Sequence, residues 1–354
     1  MSKVQAMTRG QAQAADVAAL LRARNSILWI VTREEARVER HLMEAAASAG
    51  YVAHTWDVAQ GAAEMDGTLN AIGGNDPGEM LAAIRERATA KTAETTRDVW
   101  IMRDLPIWLG GPPGAAPLRS LRNLARTLPG TARDKAQAII ILTPSGDIPA
   151  ELAGHATAIE WPMPDRAEIA ATLDAALNGL PDDLKATAAP NGTRDAAIDS
   201  AVGLSGEEAA ACFAKSLVQL KRIDPATIAQ EKRRVIARER VLEWFDPLPG
   251  GLDSVGGLDN LKSWLVARKN AYSPAARAYG LPSPKGAMLV GVPGCGKSLT
   301  AKAIATAWGV PLLRVDLGAI KSKFVGESEG NLRKAFRVIE AIGRCVVWFD
   351  EIEK

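Results

Sequence analysis

From Gly291 to Ser298 the chain reads GVPGCGKS, which satisfies the spacing GxxxxGK[ST] at every fixed position. Glycines at 291, 294 and 296 let the backbone curl until successive N–H groups face inward toward phosphate oxygens. Lys297 supplies a charge that reaches β- and γ-phosphates, and Ser298 a hydroxyl suited to a magnesium ion. Val292, Pro293 and Cys295 fill the variable positions of the loop, and Leu299 follows them. Farther on, Asp350 and Glu351 close the apolar run Cys345-Val346-Val347-Trp348-Phe349. In phosphoryl-transfer chemistry the first carboxylate supports the metal shell and the second orients and polarises the attacking water. The loop spacing alone can arise by chance, and the acidic run alone reads better as a buried strand followed by a solvated acidic turn. Together they point to ATP with Mg2+.

These groups need elements to hold them. The spacing predicts a strand over Met288, Leu289 and Val290 leading into the loop. A helix should follow, with Leu299, Ala303 and Ala307 on one face and Gly309 as its stop. Its positive amino end would add to the phosphate cradle. The run 345–349 reads as a fully buried parallel strand, whose carboxyl end is where such sheets place ligands.

Composition sets wider bounds. At 354 residues, 47% hydrophobic and 24% charged, the chain is long enough for two globular domains. A formal net charge of +2 gives no bulk attraction to nucleic acid or membrane. Cys212, Cys295 and Cys345 are scattered and odd in number, which suits a reducing compartment rather than a disulfide framework. His41, His54 and His155 form no metal-spaced cluster. The start, MSKVQAMTRGQAQAADV, lacks the apolar stretch of a signal peptide, and no apolar run reaches the about 20 residues that span a bilayer. A cytoplasmic protein is expected.

With the loop and acidic strand in place, the chain resembles the AAA ATPases. Asp253-Ser254-Val255-Gly256-Gly257-Leu258 is similar to the segment with which that family opens its nucleotide-binding domain. Lys323-Phe324-Val325-Gly326-Glu327-Ser328-Glu329 is similar to its first pore loop. The resemblance covers residues from about 250 to the last and implies that Val255 and Gly256 contact adenine. It also implies that Phe324, Val325 and Gly326 line the pore of a homo-oligomeric ring, a hexamer, and grip a polypeptide. Without that context Phe324 reads as a half-buried aromatic at a turn. The front arrangement resembles an AAA family found in cyanobacteria, plastid genomes and many other bacteria.

The front half looks like the same plan with its chemistry removed. Sliding the chain until Val31 meets Val290 also brings Gly50 onto Gly309 and Asp57 onto Asp316. In that register Arg37, Val38 and Glu39 replace Gly296, Lys297 and Ser298. Glu34 and Glu35 then stand where a triphosphate would lie, with no lysine to offset them, so this site is expected to be dead. The run 99–104 parallels the acidic strand but continues with Leu105 instead of glutamate. Residues 138–143 and 158–161 read as further strands and 165–177 as a helix. A lid-like helix is expected over 203–220, with Ser205 and Glu208 as its capping box and Phe213, Leu217 and Leu220 as its apolar face. Residues 110–114, with two prolines and no lysine, read as an ordinary loop. The basic run 231–240 reads as a solvated helix face.

The expectation is an α/β chain of P-loop NTPase type, a three-layer αβα fold with a parallel sheet in two tandem AAA-like modules. Residues 1–14 are a flexible start, 15–235 a degenerate module, 236–250 a linker, and 251–354 an ATPase core that stops after the acidic strand. A polar sensor strand, an arginine finger and a helical lid would be expected beyond that point. Their absence leaves an apolar sheet edge and argues against efficient hydrolysis by these residues alone. The leading function is ATP hydrolysis coupled to remodelling of a protein substrate. A low-turnover nucleotide-dependent binding switch is the alternative, and a nucleic-acid motor fits less well.

Overall fold

The computed structural model describes residues 7–90, 96–144, 147–181, 192–238, 242–245, 250–269, 279–281, 286–292, 294–315 and 345–350. It also describes short pieces at 185, 188–189, 271, 276, 332, 335–336, 338–340, 342 and 352. The chain divides into two compact units, Met1–Glu168 and Ile169–Lys354.

In the first unit, β1 (Ile27–Val31), β4 (Asp98–Arg103) and β5 (Gln137–Thr143) are apolar almost throughout, as strands covered on both faces must be. With β2 (Val52–Asp57), β3 (Gly61–Glu64) and β6 (Thr157–Glu160) they form a sheet in the order β3-β2-β4-β5-β1-β6. Every pairing is parallel except that of β3 with β2. Alternate residues face opposite layers. Leu28, Ile30, Val99 and Ile140 pack with residues of α1 (Arg9–Arg22) and α2 (Glu35–Ala49). Trp29, Trp100, Met102 and Ile141 pack with α3 (Pro77–Thr89) and α4 (Gly111–Thr127). This is the expected αβα sandwich, and each fully buried indole contributes about 3 kcal/mol by removal from water.

The second unit opens within α5 (Arg166–Asn178), whose first turn still belongs to the first. With α6 (Thr193–Ala201), α7 (Gly206–Leu220) and α8 (Pro225–Arg238) it encloses a helical core around Ile169, Ile198, Phe213 and Ile228. Beyond it lie β7 (Leu242–Phe245), α9 (Asp259–Lys269), α10 (Lys297–Trp308), β8 (Leu312–Val315) and β9 (Val346–Phe349). Their sheet runs β7-β8-β9, with β7 antiparallel and β9 parallel to β8.

The internal repeat is visible in backbone detail. Gly50 ends α2 and Gly309 ends α10, each left-handed, with φ of 75° and 65°. Tyr51 N–H then donates to Ala46 O, and Val310 N–H to Ala305 O, the same closing bond in the same register.

Several expectations are corrected. The start is helical from Arg9, because Thr8 and Gln11 form a capping box and Val17 and Leu21 are buried. Residues 111–114 are the first turn of α4: prolines at 112 and 113 occupy positions where no N–H is needed. A Cβ on Gly114 would stand 2.4 Å from the carbonyl carbon of Leu109, so glycine is required there. In α7 the capping box forms and Phe213 is buried, but Leu220 is exposed and Cys212 and Ser216 take the inward positions. Lys232, expected on a solvated face, is buried, donates to Val202 O, and has its pKa pushed down to about 8 by that burial. The interval 236–250 contains β7, a paired strand.

The strand expected at 288–290 is not formed. Met288 is 78% and Val290 87% exposed, and among the described residues neither has a ladder partner. The first unit gives the reason. Its corresponding strand, β1, is held by β5 and β6, both of which follow β4 in the chain. β9 corresponds to β4, and among the described residues no strand occupies the places of β5 and β6 beside 288–290.

Candidate functional site

The glycine loop is shaped by two left-handed residues, Gly294 at φ 83° and Gly296 at φ 85°. A side chain at either position would be strained. A Cβ on Gly291 would approach Cys295 Sγ to 2.7 Å, so the loop is closed as well as turned. Cys295 N–H donates to Val292 O at 3.3 Å, and Thr300 N–H and Oγ1 both donate to Gly296 O at 2.9 Å. Lys297 is the first residue of α10. Its ammonium donates to Gly291 O at 2.8 Å and Val292 O at 3.0 Å, lying back over the loop.

Helix α10 begins with no side-chain cap and no acidic residue in its first turn. Among the described residues, then, the N–H groups of its first turn have neither intrahelical nor side-chain acceptors, and no acidic side chain of that turn offsets the positive end of the helix. Ser298 and Leu299 lie exposed in this turn, and Pro293 lies outside the described residues. The 3-10 turn at Gly251–Ser254 packs beside α10, and Val255, which follows it, is buried and donates to Leu252 O at 3.2 Å. Gly256 is exposed.

A short turn at Gly309 joins α10 to β8, so helix and strand run in opposite directions. Ala301 and Ala305 pack on Leu312, Val346 and Trp348. The amino end of α10 consequently lies toward the carboxyl ends of β8 and β9, the end from which Asp350 projects. Asp350 is 3.7 Å from Arg314 Nη2, and Arg314 Nη1 is 3.2 Å from Glu243 Oε2. Arg314 and Glu243 are absent from the sequence-based site; the only signal is their facing register, which needs the pairing of β7 with β8. Glu351, Phe324, Val325 and Gly326 lie outside the described residues.

The corresponding place in the first unit is filled by matched charge, which corrects the expectation of unopposed carboxylates. Glu34 is buried and paired at 2.6 Å with Arg37, which also reaches Glu168 at 3.1 Å and Pro162 O at 2.6 Å. Arg103, at the end of β4, is bound to Glu39 at 2.6 Å, Glu35 at 3.2 Å and Asp57 at 3.3 Å. Burial raises the carboxyl of Glu35 above its ordinary value; Arg103 opposes that rise, and Glu39, Asp104 and Asp57 add to it. No lysine is needed because two arginines do the offsetting.

A glycine loop opening a helix that packs on a mixed sheet, with an acidic residue closing a neighbouring strand, is the arrangement of an AAA-type P-loop fold. Comparison with known families agrees. Residues 13–161 match the N-terminal domain and 167–239 the second domain of SpoVK-like AAA ATPases. Residues 287–354 match the ATPase family associated with various cellular activities (AAA). An uncharacterized AAA domain-containing protein, ycf46, of Guillardia theta is 34% identical over 96% of this chain and 64% of its own length. The ycf46 protein of Pyropia yezoensis is 32% identical over 96% of this chain and 66% of its own length. The Cell division cycle protein 48 homolog of Archaeoglobus fulgidus is 34% identical over 38% of this chain and 17% of its own length. The chain belongs to the AAA ATPases and is similar over nearly its whole length to the ycf46 AAA-domain proteins. It spans just under two thirds of the length of its ycf46 relatives.

Proposed function

We propose that the second module binds ATP with Mg2+ and that the longer protein hydrolyses it to remodel protein substrates. The observation that carries this reading is the uncapped amino end of α10, preceded by two left-handed glycines and headed by Lys297. Backbone N–H groups and one flexible ammonium are what a triphosphate needs. A hydroxyl at Ser298 and a carboxylate at Asp350 are hard oxygen donors that fit Mg2+, and both are solvent-accessible. When bound, the metal supplies charge neutralisation at the phosphates.

Each residue then has a task. The loop 291–296 wraps the phosphates, Lys297 leaves its carbonyl partners for the β- and γ-oxygens, and Leu299 extends the first turn of the binding helix. Val255 and Gly256 border the adenine. Glu351 orients the attacking water and takes up its proton. Phe324, Val325 and Gly326 contact a polypeptide in the pore of a homo-oligomeric ring of six in the cytoplasm. Neither a membrane nor a nucleic acid is part of this reading. The first module, its own site closed by Arg37 and Arg103, serves as scaffold or adaptor.

The test uses the full-length protein. Glu351→Gln is expected to keep ATP bound and to lower steady-state turnover at least about a hundredfold, in line with loss of a general base. Unchanged turnover would contradict the assignment. A wild type that binds ATP tightly yet turns over at background rate would favour the binding switch.

A further inference from the structure

β7 holds on the second sheet the place that β3 holds on the first. Each pairs antiparallel with the strand corresponding to β2, at the edge of its sheet. β3 comes from just after its partner, whereas β7 arrives from upstream, in the segment that follows α8. The connection between the helical segment and the ATPase core is therefore itself a strand of that core.

The register of this strand has a chemical consequence. Glu243 pairs with Arg314, and Arg314 pairs with Trp348. The Arg314 guanidinium lies 5.3 Å from the Trp348 ring centre, 3.2 Å from Glu243 Oε2 and 3.7 Å from Asp350 Oδ2. One cation is thus shared between a carboxylate on the inter-module strand and the carboxylate assigned above to the metal. A guanidinium and a magnesium ion compete for the same Asp350 oxygens. Glu243, at the shorter distance, draws the guanidinium away.

We propose that Arg314 is a positioning residue that sets how available Asp350 is to Mg2+, and that Glu243 on β7 controls Arg314. Docking of β7 favours metal uptake; release of β7 leaves Arg314 to Asp350 and weakens it. The proposal rests on the reading of Asp350 as the metal's carboxylate.

Binding of a fluorescent ATP analogue to the full chain, followed as Mg2+ is titrated, tests it. Glu243→Gln is expected to raise the half-saturating Mg2+ about two- to fivefold, the scale of an exposed ion pair. Binding of the same analogue in EDTA should not change, which separates the effect from a general loss of structure. In an Arg314→Met background the Glu243→Gln substitution should have no further effect. In an Arg314→Lys background, which keeps a cation at this position, the rise should persist. The Lys pair of variants carries the test should Arg314→Met fail to fold. Equal Mg2+ dependence in wild type and Glu243→Gln, or an equal rise with and without Arg314, overturns the proposal while leaving the nucleotide site standing. Absence of analogue binding by wild type overturns the site itself.

Discussion

At the scale of single residues the two modules differ by which charges are left unmatched. Among the described residues Lys297 meets two loop carbonyls and the Cys295 sulfur and no carboxylate, which leaves its charge unmatched. At the same register Val38 is fully buried among Leu42, Ala45 and the sheet, and the surrounding carboxylates already hold arginines. A further buried charge tests the first module's stability. Asp98 is completely buried, with Arg87 at 2.7 Å, Thr96 at 2.5 Å and His54 at 3.4 Å. Burial alone would raise its carboxyl, but bonds from His54, Thr96 and Arg87 outweigh it and bring the pKa below the ordinary 3.8. Because the folded value is the lower one, Asp98 stabilises the protein fully above about pH 4, and that contribution is lost as pH falls through the folded value. Asp98→Asn should cost about 2 kcal/mol at pH 7, discounted because Arg87 keeps some solvent, and should flatten the acid limb of a urea-denaturation profile. An unchanged acid limb would contradict this role. Lys297, the loop glycines and Asp350 are legible from spacing. Arg103, Arg314 and Glu243 are not, because each acts across strands whose pairing no local motif encodes.

At the scale of elements, strands β1, β4 and β5 are legible as apolar runs, and α7 as a capping box followed by Phe213. β7 hides inside an interval that ends in prolines and glycines, and its sequence Leu-Glu-Trp-Phe is too short to stand out. The segment 286–290 shows the opposite error. Its residues have strand character, yet a strand exists only where a neighbour completes its hydrogen bonds. In hydrogen exchange on these 354 residues, the amides of β4 and β5 should be the slowest, and those of 286–290 should exchange within seconds, near unprotected rates. Protection of 286–290 as strong as that of β5 would show that the segment has found partners.

At the scale of the whole molecule, one structural plan is used twice, with the turn into the first helix closed by ion pairs in the first module and exposed in the second. The first copy carries a six-stranded sheet and a tightly buried core; the second contributes the exposed loop and helix end assigned above to ATP. The repeat was readable because Gly50 and Gly309, each forced to left-handed backbone, mark the same point of both copies. Calorimetric titration of the folded chain with ATP in excess Mg2+ measures the consequence directly. One site per chain is expected, lost in Lys297→Ala while the fold is retained. Two sites per chain, or a single site indifferent to Lys297→Ala, would contradict it.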